Sequence, residues 1–150
     1  MRTAKIALAA CIAATSVHAT TIPALSGDYV VNVSLTCQPS PSVLTGAIVT
    51  RLLTVHFDPA TGYADATGTE TVGPLIPSGV TGFYRVPISY HQPYSNTGDT
   101  LTVGSSAWSI LYSHVTKGID SSYDTNGTEP VPGASDQTKV CAGSAHGTRM

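Results

Sequence analysis

Apolar residues in this chain recur at every second position, and that period decides what it can fold into. Between Asp28 and Cys37, Tyr29, Val31, Val33, Leu35 and Cys37 share one face; Asn32, Ser34 and Thr36 share the other, with Val30 the exception. Such alternation belongs to an extended strand with one buried face, whereas an amphipathic helix needs apolar residues three or four apart. Thr45–Phe57 repeats the pattern: Ala47, Val49, Leu53, Val55 and Phe57 lie on a face that Arg51 interrupts. Asp58-Pro59-Ala60-Thr61-Gly62 then reads as a turn, because proline fixes φ and glycine supplies a positive one. The Thr-rich stretch Tyr63–Val72 returns from it, completing a hairpin.

Further along, Gly73–Gly82 carries prolines and glycines and reads as a loop. Phe83–His91 places Tyr84, Val86, Ile88 and Tyr90 on one face. Pro87, on the other face, cannot donate to a ladder, so this strand is expected at an edge or with a bulge. Pro93–Asp99 reads as a turn, and Leu101–Val103 and Ala107–Thr116 as strands. In the second of these, Trp108, Ile110 and Tyr112 alternate with serines. Gly118–Ser135 reads as a long loop, Gln137–Cys141 as a last short strand and Ala142–Met150 as a loose tail.

The first residues look like an export signal. Arg2 and Lys5 precede an apolar run from Ile6 to Ala14, and Val17-His18-Ala19 offers small residues at the cleavage positions. Cleavage after Ala19 is expected, leaving residues 20–150 as one domain. A lipobox reading of Leu8-Ala9-Ala10-Cys11 is weaker, because the apolar run continues past Cys11. No later stretch has the roughly 20 apolar residues of a membrane-spanning helix. Without the signal, five basic residues face nine acidic ones, which leaves no basic surface for nucleic acid. Cys37 and Cys141 then remain as an even pair, which in an exported chain reads as a disulfide.

About seven short strands with hairpin-length connections and no helix make an all-β domain. A small antiparallel up-and-down β-barrel is expected, with a β-sandwich as the alternative. The disulfide favours the barrel, because it joins the first and last strands, which closure makes neighbours.

Three local features carry a resemblance. Leu25-Ser26-Gly27-Asp28-Tyr29 opens the first strand with Gly-x-aromatic, His56-Phe57-Asp58-Pro59-Ala60-Thr61-Gly62 is a Phe-Asp hairpin turn, and a cysteine ends the first strand. Together they resemble short exported bacterial β-proteins and are loosely similar to the lipocalin and avidin superfamily. Tyr29 stands where that superfamily has a tryptophan. The resemblance implies a barrel that binds a ligand or a partner; it supplies no functional residues.

Chemical motifs are sparse. Gly143-Ser144-Ala145-His146-Gly147 is not a nucleophile elbow, because Ala142 stands two positions before the serine, where Gly-x-Ser-x-Gly needs a glycine. His56, His91, His114 and His146 have no metal-ligand spacing. Asp120, Asp124, Asn126 and Glu129 fall in one stretch with Gly127, but the twelfth position of a calcium loop would be Gly133, which has no carboxylate. Asp65 and Glu70 are an odd number of residues apart on one strand and point to opposite faces. No cofactor is expected, and the absence of a nucleophile–base–orienter motif leans away from an enzyme without deciding it.

Ligand binding is the better expectation. Tyr29, Tyr84, Tyr90, Trp108 and Tyr112 are alternating strand residues able to line one cavity, or simply to fill the barrel as core. Arg51 is the oddity: if it points inward, it needs an anionic partner or ligand. The expected occupant is a small apolar or amphipathic molecule. The alternative is a protein partner held by the Gly73–Gly82 and Gly118–Ser135 loops of a solid barrel, as in a secreted inhibitor or interaction module.

Overall fold

The computed structural model describes residues 24–38, 47–74, 83–111, 122–130 and 140–150. The expected signal segment, residues 1–19, and Tyr112 lie outside them. Eight strands follow one another: β1 (Gly27–Cys37), β2 (Ala47–Asp58), β3 (Tyr63–Pro74), β4 (Tyr84–Thr97), β5 (Thr100–Val103), β6 (Ser106–Leu111), β7 (Ser122–Pro130) and β8 (Val140–Arg149). Each pairs antiparallel with the next, and β8 pairs with β1, closing an up-and-down barrel. The inward faces of β1 and β2 are those read from the sequence, with Val31, Val33, Leu35, Leu53, Val55 and Phe57 buried.

Closure is covalent at one end. Cys37 and Cys141 are register partners on β1 and β8 and form a disulfide across 104 positions. At the other end the β2–β3 hairpin turns on Asp58. Its carboxylate accepts from the Ala60 amide at 2.9 Å and the Thr61 hydroxyl at 2.8 Å. The Thr61 bond first, then the Ala60 bond, holds that carboxyl below its ordinary range. Gly62, at φ 74°, takes the left-handed position that closes the turn.

Three expectations are corrected. Pro93–Asp99 is not a turn: β4 runs through it to Thr97, and the turn tightens to Gly98-Asp99. Burial outweighs local turn chemistry there, because Tyr94 packs on Phe57 and its hydroxyl donates to the Leu25 carbonyl at 2.8 Å. Pro93 sits where β4 passes from one neighbour to the other: it pairs with Tyr63 on β3, and its carbonyl accepts from the Gly104 amide at 2.8 Å. The expected Gly118–Ser135 loop contains β7, whose inward residues are Tyr123, Thr125, Gly127 and Glu129. The expected loose tail is β8, paired along its length with both β1 and β7. Its inward side carries Gly143, Ala145 and Gly147, too small to produce a visible apolar period.

The lower end, away from the disulfide, is filled. Tyr29 meets Phe57 edge-on at 5.7 Å and Tyr123 at 5.4 Å, and Tyr94 meets Phe57 at 5.0 Å. Leu25 is buried with them, its amide donating to Asn96 Oδ1 at 3.0 Å. Gly147 makes room for this plug: a Cβ there would run into the Tyr123 ring. No helix among the described residues is long and apolar enough to cross a membrane.

Candidate functional site

Above the aromatic plug the barrel is not filled. Phe57 and Tyr123 form the floor of a cavity of about 400 Å³. Val31, Val33, Leu53, Val55, Ile88, Leu101 and Trp108 supply most of its wall, and Tyr90, Thr125 and Gln92 add polar groups. The size lies within the usual range for small-molecule sites, which are mostly apolar with a few placed polar groups.

Among the described residues the wall has a gap, and the strand lengths produce it. β4 is 14 residues long, but only Tyr94–Thr97 pair with β5, which is four residues long. Among the described residues, the part of β4 before Tyr94 pairs with β3 alone. Ser89, Gln92 and the Gly104–Ser106 turn line the cavity at this junction. Pro87 falls in the one-sided part of β4, where a missing donor is tolerated, as the edge reading expected.

Three ionised side chains meet in the upper cavity. Arg51 does point inward. Its Nε donates to Glu70 Oε2 at 2.7 Å and its Nη1 to Glu129 Oε2 at 2.6 Å. The three side chains retain 13–19% of their exposure. Burial alone would lower the Arg51 pKa, but the charges and hydrogen bonds of Glu129 and Glu70 outweigh it and raise the value. The anionic partner that an inward arginine requires is thus supplied by the protein itself. β3 brings Glu70 directly opposite Arg51 in register, and β7 brings Glu129 from across the barrel.

The residues expected to line one cavity separate. Arg51, Tyr90 and Trp108 line it. Tyr29 is buried in the plug below. Tyr84 is the register partner of Val72, and its backbone lies on β4. Sequence reasoning missed Glu70, Glu129, Phe57, Tyr123 and Gln92 as cavity residues. Glu70 was open to detection, since it shares its parity with Ala64, Ala66 and Val72. Glu129 was not, because its strand read as a loop.

Asp124 and Asn126 stand on the outer side of β7 and Glu129 on the inner side, while Asp120 lies outside the described residues. Among the described residues no group of three or more His, Cys, Asp or Glu side chains could hold a metal ion.

On the outer wall, histidines face aspartates in cross-strand pairs. His56 Nδ1 is 2.8 Å from Asp28, His91 Nδ1 is 2.6 Å from Asp65, and His146 bonds Asp124. These side chains are largely solvated, and such pairs contribute about 0–1 kcal/mol. A broader depression of about 650 Å³ lies over Asn32, Thr50, Leu52, Thr71 and Asn126. Its side chains are mostly those of solvated strand faces, and no phenylalanine, tyrosine or tryptophan is among the described residues that line it.

No protein-family model, curated protein sequence or solved structure matches the chain.

Proposed function

We propose that this protein is an exported, lipocalin-like β-barrel that binds a small amphipathic ligand inside the barrel. One observation carries the reading: the interior holds a cavity of about 400 Å³ with an aromatic floor, an apolar wall and a polar upper part. A barrel that served only as a scaffold for loops would be expected to fill this space, since voids in protein interiors are few and small. The gap beside β4 gives a ligand a way in. Export is supported by the basic start, apolar run and small-residue cleavage site of residues 1–19, and by the disulfide, which persists in oxidising compartments. The alternative, a protein-interaction module, required a solid barrel, and the cavity weighs against it.

Native mass spectrometry of the protein from its own host, without reductant, tests both parts. Residues 20–150, two hydrogens lighter than the reduced chain and carrying a small molecule released on denaturation, are the expected result. A chain retaining residues 1–19 contradicts export. A bare oxidised chain that takes up no small molecule on incubation with an extract of its growth medium contradicts ligand carriage.

A further inference from the structure

The cavity carries a net charge. Among its described lining residues Arg51 is the one cation, and Glu70 and Glu129 are the only anions. The formal balance is one excess negative charge inside the barrel. Arg51 bonds a single oxygen, Oε2, of each carboxylate. No other described side chain forms an ion pair with either. The Tyr90 phenol and the Gln92 amide face the same space, and neither supplies positive charge.

An excess charge behind a low-dielectric wall discriminates strongly between ligands by sign. An anionic ligand would add a third negative charge beside one arginine that already has two partners. A neutral ligand would leave the imbalance as it is. A cation would complete it, with two carboxylates and one guanidinium becoming a neutral group of four. The floor and wall suit the rest of such a ligand. Phe57, Tyr123, Tyr90 and Trp108 present aromatic surface to the cavity, and aromatic faces attract cations as well as apolar bodies. The volume sets the size: at ~30 Å³ per water it equals about a dozen water molecules, enough for a compact molecule but not for a peptide or a long acyl chain.

We infer that the cavity selects a compact, singly charged organic amine, its ammonium group beside Glu70 and Glu129 and its apolar body against Phe57, Tyr123 and Trp108. This inference rests on the ligand-binding reading above and adds the charge of the ligand to it.

The test compares three probes of one shape and different charge: 2-phenylethylamine, 2-phenylethanol and phenylacetate. Binding to the oxidised chain of residues 20–150 is measured by calorimetry. The amine binds about tenfold more tightly than the alcohol, as a partly buried charge partner supplies, and phenylacetate binds least. Glu129→Gln, which neutralises the cluster, removes most of the amine's advantage over the alcohol. The far-UV circular dichroism and the urea midpoint of the variant show separately that it is folded. Equal affinity for amine and alcohol, or tightest binding of phenylacetate, overturns the charge selection and leaves ligand binding standing. Failure of all three to bind overturns both.

Discussion

Arg51 concentrates the physics of the site in one residue. Removing it leaves Glu70 and Glu129 partly buried with no counter-charge, the expensive half of a broken ion pair. Arg51→Met is expected to lower the unfolding free energy by about 3 kcal/mol, measured by urea titration, the low end for such losses because the cluster keeps some solvent contact. The triple variant Arg51→Met, Glu70→Leu, Glu129→Leu is expected to recover most of that loss, since apolar replacement of a whole buried charge cluster is often neutral or better. A triple variant as unstable as the single one contradicts the charge-cluster account. Gly147 is the second informative residue. Gly147→Ala drives a methyl group into the Tyr123 ring and is expected to cost about 1–3 kcal/mol, as overpacking does. Adding Tyr123→Leu to that background should return part of it. At this scale the sequence was half legible. Arg51 stood out as a charge on an apolar face and demanded a partner. Which partner it found depended on strand pairing: Glu70 is its neighbour across a hairpin, while Glu129 arrives from a strand 78 positions away.

The strands divide by what their inward faces carry. β1, β2 and the first part of β4 were legible because valine, leucine, isoleucine and aromatic residues mark every second position. β7 and β8 were hidden because their inward positions hold Thr125, Gly127, Glu129, Gly143, Ala145 and Gly147. Small inward residues are needed there: a Cβ at Gly127 would come within 2.7 Å of the Trp108 ring and Cα, and the plug crosses Gly147. The composition that marks a turn or a tail from sequence is, in the barrel, the composition of a wall under crowded aromatic rings. Amide hydrogen exchange separates the two readings. Residues 141–148 of β8, paired on both sides, are expected to exchange as slowly as β1. The β4 amides before Pro93, which among the described residues pair with β3 alone, are expected to exchange faster than those of β1 and β2. Rapid exchange throughout β8 contradicts barrel closure.

As a whole, the molecule is a ring closed at one rim by a disulfide and filled at the other by tyrosines. Burial raises the pKa values of Tyr123, Tyr90 and Tyr94 above the ordinary tyrosine value. The unfolded chain therefore gives up these protons more readily than the folded one. The stability this represents is fully present below about pH 10, the unfolded value, and falls as pH rises above it. Absorbance at the phenolate band should show fewer ionised tyrosines in the native protein than in the urea-unfolded chain at about pH 11. Matching spectra contradict the buried plug. Reducing Cys37–Cys141 frees a loop of 104 positions. It is expected to cost about 2–5 kcal/mol, read as a lower unfolding midpoint with reductant.

Trp108 is the only tryptophan in the chain and part of the cavity wall, so its emission reports whether the barrel interior receives a ligand. The measurement is Trp108 emission during titration with N-phenyl-1-naphthylamine, an apolar fluorescent probe, in the oxidised protein and in Ala145→Leu, which narrows the cavity from the β8 side. A ligand-binding barrel gives a saturable one-to-one change in the parent protein and weaker binding in the variant. No saturable change in the parent, or equal binding by both, contradicts binding inside the barrel.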